Sequence, residues 1–102
     1  MHAPSRAAPE VKSRPKIERP RLYKVILLND DFTPREFVTL VLRRVFGMGP
    51  ERAFSVMFTA HKRGSCVVAV FTRDVAETKA VEATDAGREA GYPLLFTTEP
   101  EE

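Results

Sequence analysis

The sequence predicts an α+β domain, a two-layer sandwich ordered β-α-α-β-α-β with three helices packed on a small three-stranded antiparallel sheet. Two observations carry this. Three apolar runs of strand length, Leu22–Leu28, Ser65–Thr72 and Leu94–Thr98, are spaced along residues 22–102. The segments between them repeat apolar residues at helical spacing and are bounded by start and stop signals. At 102 residues there is room for one domain with a single modest core.

The first strand, Leu22–Leu28, is apolar and β-branched in Val25-Ile26-Leu27-Leu28 and stops at Asn29-Asp30-Asp31. A helix is expected to start at once. Thr33 is a good N-cap, Pro34 suits the first helical position, Glu36 completes a capping box, and Phe32 and Phe37 have the spacing of a hydrophobic staple. Its apolar face runs through Phe37, Val38, Val41, Leu42, Val45 and Phe46, and Gly47 ends it. Pro50-Glu51 open the second helix, which ends in Lys62-Arg63 with Gly64 as the stop. The second strand, Ser65–Thr72, is apolar on both faces over Cys66–Phe71, which predicts a place deep in the sheet. The third helix, about Arg73 to Ala90, carries a stripe of small residues (Ala76, Ala80, Ala83, Gly87, Ala90) that allows close approach to the sheet. Gly91 and Pro93 end it before the last strand.

Residues 1–21 hold four prolines, almost no large apolar residue, and six Lys/Arg against Glu10 and Glu18. Such a segment cannot offset its ordering entropy by burial and is expected to be a disordered basic tail. The remainder is mildly acidic. The tail lacks the aromatic interleaving that RNA binding uses, so it reads as a solvated linker with neither a nucleic-acid nor a membrane partner. No apolar run reaches the roughly 20 residues of a membrane span, and residues 1–20 lack the apolar core of a secretory signal. Cys66 is the single cysteine, so no internal disulfide can form. A reducing setting is expected.

Asn29, Asp30 and Asp31 together offer acceptors for a cationic group, an ammonium or a metal ion; turn preference alone also explains them. His61, one turn after Met57, is either satisfied by a backbone carbonyl or forms the polar tip of a pocket wall with Met57 and Phe58. Enzymatic readings have little to stand on. Cys66 sits inside an apolar strand, Ser55 and Ser65 have no base motif nearby, and there is no glycine-rich phosphate loop or zinc-spaced Cys/His set. No catalytic residue, metal or cofactor is therefore assigned.

Three separated motifs give a family resemblance. They are Leu22-Tyr23-Lys24-Val25-Ile26-Leu27-Leu28-Asn29-Asp30-Asp31-Phe32-Thr33-Pro34, then His61, and then Val70–Lys79 with Tyr92-Pro93-Leu94-Leu95. Together they closely resemble ClpS, the adaptor of the bacterial Clp protease, over about residues 20–100. The resemblance implies a non-catalytic, cytoplasmic, monomeric receptor for N-degrons. Such a protein binds a free N-terminal Phe, Tyr, Trp or Leu of a substrate and passes the substrate to the ClpA-type AAA+ unfoldase. It implies that Asn29, Asp31 and His61 accept from the α-amine, with Asp30 as a neighbouring acid. It implies a side-chain pocket of Val38, Met57, Ala60 and Leu94, with Phe58, Thr33 and Arg35 beside it. It also implies unfoldase docking through the Asp74–Lys79 stretch, with Glu77 or Lys79 the main contributor, and a delivery role for the tail; helix capping by Asp74 is the alternative there.

Two departures stand out. Arg35 replaces the methionine common in relatives, and Ala60 replaces a larger aliphatic residue. They predict a preference for aromatic first residues over leucine and suit a second, specialised copy. Three rival readings remain from the sequence. One is a general interaction module resembling the C-terminal domain of the ribosomal stalk protein. Another is a metal-dependent hydrolase using Asp30, Asp31 and His61. The last is nucleic-acid binding through the tail.

Overall fold

The computed structural model describes residues 19–102, so the expected disorder of the tail falls, for residues 1–18, outside the described residues. The element order is β1 (Leu22–Leu28), α1 (Arg35–Phe46), α2 (Pro50–Arg63), β2 (Ser65–Thr72), α3 (Arg73–Glu89) and β3 (Leu95–Pro100). All three helices pack on one face of an antiparallel sheet ordered β2-β1-β3, the expected two-layer architecture.

The glycine and proline punctuation works where the chain needs it. Gly47 (φ +68°) and Gly64 (φ +95°) take the left-handed conformation that ends α1 and α2, and Pro50 occupies the first turn of α2.

The central strand is β1, not β2. Leu22 to Leu28 pair with Thr72 to Ser65 on one side, and Tyr23 to Leu28 with Pro100 to Leu95 on the other. The apolar run of β2 predicted a deep position; instead β2 is an edge, and within it only Val68 is fully buried. The reason is architectural. Helices cover one face of the sheet, so Val67 and Val70 on the other face meet solvent however apolar they are. Val68 reaches the core through a bulge. The register passes from Val25↔Ala69 to Ile26↔Val67, leaving Val68 as the extra residue. Its carbonyl accepts from Arg52 Nη2 on α2 at 3.2 Å.

The core lies between the sheet and the helices. Val25 and Leu27 of β1 meet Leu42 of α1, Ala53 and Val56 of α2, and Phe96 of β3. Ala76, Ala80 and Ala83 are buried as the small-residue stripe requires, whereas Ala90 lies past the end of α3 and is exposed. The closest approach is at Gly87, where an added Cβ would stand 2.7 Å from Cβ of Leu94. Lys79, half-buried on α3, donates from Nζ to the carbonyl of Val45 at 2.9 Å and so holds the C-terminal turn of α1. No helix among the described residues is long and apolar enough to cross a membrane.

Candidate functional site

At one end of the molecule, the end of β1, the start of α1 and the second half of α2 surround a cavity of about 160 Å³. Leu27, Val38, Met57, Ala60 and Leu94 form buried apolar walls. Asn29, Asp31, Arg35 and His61 form an exposed polar rim. An apolar protein cavity of about 150 Å³ holds a benzene ring, so this one has room for one aromatic side chain.

Local chemistry sets the rim. The N–H of Asn29 donates to the carbonyl of Gly64 at 3.0 Å, tying the end of β1 to the end of α2 three residues past His61. The Asp30 carboxylate builds the turn. Oδ1 accepts from the N–H groups of Phe32 (2.8 Å) and Thr33 (2.7 Å), and Oδ2 accepts from the Thr33 hydroxyl (2.9 Å). Asp31 is left facing outward at the rim. The turn-forming reading thus accounts for Asp30, while Asn29 and Asp31 stay free to accept.

This turn also corrects the expected start of α1. Pro34, not Thr33, is the N-cap: its carbonyl accepts from Val38 N–H at 3.1 Å, and there is no side-chain cap. The capping box fails because Asp30 has already engaged the Thr33 hydroxyl. The staple fails because Phe32 is 79 % exposed, while Phe37 packs its ring 5.0 Å from that of Tyr92. Asp30→Ala is expected to cost about 1.5–3 kcal/mol, the scale of hydrogen bonds to a charged acceptor. Asp30→Asn, which keeps one carbonyl acceptor, should recover part of that in a urea titration. Equal stability of the wild-type protein and Asp30→Ala would show that the turn holds without it.

His61 does not bond a backbone carbonyl. Its Nε2 lies 3.0 Å from Arg35 Nη2, across the cavity mouth. A guanidinium only donates, so in this contact Nε2 is the acceptor. Thr33 is buried at the cavity edge. Phe58, expected beside the pocket, does not line it but adjoins its rim, with its ring 6.4 Å from that of His61. Met57, Ala60 and His61 occupy the cavity side of α2. Phe58 is about 100° further round the helix than Met57 and faces solvent, stacked on Phe54. Leu27 and Leu28 line the cavity without having been expected to. Their place at the end of β1, just before the Asn-Asp-Asp turn, was the available signal.

Asp74, Glu77 and Lys79 lie on α3, outside the cavity. Asp74 and Glu77 are exposed, Glu77 in an ion pair with Arg73 (3.2 Å). Among the described residues no group of three His, Cys, Asp or Glu side chains is placed to hold a metal ion. Asp30, Asp31 and His61 do not converge, because the Asp30 oxygens are turned into the loop. Burial pushes the Cys66 thiol up from its ordinary range, partly countered by Arg52 and Arg63, which suits packing and not nucleophilic attack.

The family model described as ATP-dependent Clp protease adaptor protein ClpS matches residues 18–97. The chain is 68% identical over 94 residues to ATP-dependent Clp protease adapter protein ClpS 1 of Bradyrhizobium diazoefficiens, covering 92% of this chain and 93% of that protein. It is 67% identical over 94 residues to ClpS 2 of Mesorhizobium japonicum, with 92% and 93% covered. Among solved structures, Agrobacterium tumefaciens ClpS2 bound to L-phenylalaninamide superposes with a TM-score of 0.81 at 67% identity, covering 81% of this chain and all of that one.

Proposed function

The chain belongs to the ClpS family of Clp protease adaptors, and from that premise we propose that it captures proteins by a free N-terminal Phe, Tyr, Trp or Leu and delivers them to a ClpA-type AAA+ unfoldase. It acts without covalent chemistry, as a monomer in the bacterial cytoplasm. The observation that carries this reading is the pairing of an apolar cavity of about 160 Å³ with the acceptors Asn29, Asp31 and His61 on its rim. The solved relative bound to L-phenylalaninamide, a small molecule with the same amine and side chain, supports it.

A free α-amine has a pKa near 8 and is mostly cationic at neutral pH. The Asn29 amide oxygen and the Asp31 carboxylate accept from it, and His61 adds a lone pair. Charge-assisted bonds of this kind contribute about 1.5–3 kcal/mol. Burial of the first side chain among Val38, Met57, Ala60 and Leu94 contributes about as much, roughly 1.5–3 kcal/mol. Neither suffices alone, so the site demands both a charged amine and a bulky apolar side chain. A fluorescent peptide beginning with Phe is expected to bind with a free amine and to lose at least about tenfold in affinity when acetylated. Equal binding of the two forms would refute the reading.

Arg35 gives up its bond to His61 when the amine arrives and lays its guanidinium over an aromatic first side chain. Ala60 leaves room for the ring. Peptides beginning with Phe, Tyr or Trp are therefore expected to bind several-fold better than one beginning with Leu, a ratio that falls in Arg35→Met. Leu binding as tightly as Phe would remove this preference. The unfoldase meets the outer face of α3 through Asp74 and Glu77. Lys79, engaged with Val45, supports that face from behind.

A further inference from the structure

We propose that the exposed aromatic strip on α2 is a subsite for the second residue of the bound chain and favours an aromatic side chain there; this rests on the reading of the cavity as the site of the first residue. Phe54 and Phe58 are 56 % and 40 % exposed, although both are large and apolar. Their rings stack nearly parallel, with centroids 5.9 Å apart and planes at 10°. The Phe58 ring in turn lies 6.4 Å from the imidazole of His61, tilted by 41°. His61 belongs to the cavity rim. The three rings therefore form one strip that begins at the mouth of the cavity and runs outward along α2.

The substrate backbone places its second residue on this strip. With the first side chain in the cavity and the amine at His61, the next Cα lies about 3.8 Å further along the chain. Successive side chains of an extended segment point to opposite sides. The second therefore leaves the cavity at its rim, where the Phe58 ring adjoins His61. An edge-to-face contact with that ring adds affinity beyond the area it covers. Lys62 Nζ stands 5.5 Å from the centroid of Phe58 and closes the far side of the ring with a cation. Charge alone would favour an acidic second residue at that point, so the two chemistries predict different sequences.

The test uses the full chain and free-amine peptides identical but for their second residue: Phe-Phe, Phe-Ala and Phe-Asp. Fluorescence anisotropy is expected to give about three- to tenfold tighter binding of Phe-Phe than Phe-Ala. That ratio should fall to near one in Phe58→Ala, and it should also fall in Phe58→Leu, which keeps apolar bulk without the ring. Equal binding of Phe-Phe and Phe-Ala would overturn the proposal while leaving the first-residue site intact. Preference for Phe-Asp, lost in Lys62→Ala, would overturn it in favour of a charge-reading surface. A concentration-dependent dimer dissolved by Phe54→Ala would assign the strip to a second copy and also overturn it. Failure of all three peptides to bind would instead strike the reading of the cavity itself.

Discussion

Ala60→Leu is expected to weaken binding of a Phe-initiated peptide by about ten- to a hundredfold, with the melting temperature unchanged or slightly raised. Ala60 is 2 % exposed and forms part of the cavity wall. A leucine there projects three more carbons into space that a first side chain would occupy. The ligand then forfeits most of its side-chain burial, roughly 1.5–3 kcal/mol, and each 1.4 kcal/mol is a factor of about ten in affinity. Small-to-large substitutions normally strain a core, but this one points into an existing cavity of about 160 Å³, so overpacking is avoided. Isothermal titration beside a thermal melt separates the two effects. Undiminished affinity would mean that the side chain is held elsewhere.

The largest expected loss of stability comes from Leu42→Ala. Leu42 is fully buried at the centre of α1, between Val38 and Val45 on the face that meets the sheet. Truncating a leucine in such a place costs about 2–5 kcal/mol, because the transfer energy of the lost carbons is joined by that of the cavity left behind. Whole domains hold only about 5–15 kcal/mol. At about 4–8 °C per kcal/mol for a domain of this length, the melting temperature should drop by at least about 10 °C. Val38, one turn earlier, is a wall of the cavity, so affinity for a Phe-initiated peptide should fall as well when it is measured close to the transition. Urea denaturation gives the free energy directly; a loss under about 1 kcal/mol would show that α1 is anchored by other contacts.

Element boundaries were legible wherever the chain carries residues with only one use. Pro50, Gly47 and Gly64 sit where their backbone preferences require, and the limits of β1, α2 and β2 follow the apolar runs. The start of α1 was misread because two hydrogen-bonding residues three apart competed for one hydroxyl: Thr33 could cap a helix or answer Asp30, and the turn won. The position of β2 was misread because an apolar run records hydrophobicity and not the number of neighbours a strand has. The cavity residues were legible as a set through the family motifs, since the turn, the second helix and the residue before β3 are far apart in sequence. Phe58 lies near the cavity, its ring 6.4 Å from that of His61, but not in its lining. The Arg35–His61 bond could not be read at all, because it joins long side chains 26 residues apart and depends on how two helices lean together.

The sheet order β2-β1-β3 has a consequence for how the protein is made. Leu22–Leu28 are synthesised first among the strands, yet their partner Leu95–Pro100 comes last, and the N–H of Glu101 closes on the carbonyl of Leu22 at 2.8 Å. At a translation rate of about 5–20 residues per second, the central strand waits several seconds for that neighbour. In that interval it presents an unpaired apolar edge, Val25-Ile26-Leu27-Leu28, of the kind that invites aggregation. Pairing with β2 can guard one side earlier; the other stays open until the last strand leaves the ribosome. Leu94, a wall of the cavity, enters the chain immediately before that strand. A nascent copy therefore cannot close the walls of that cavity until its last strand is available.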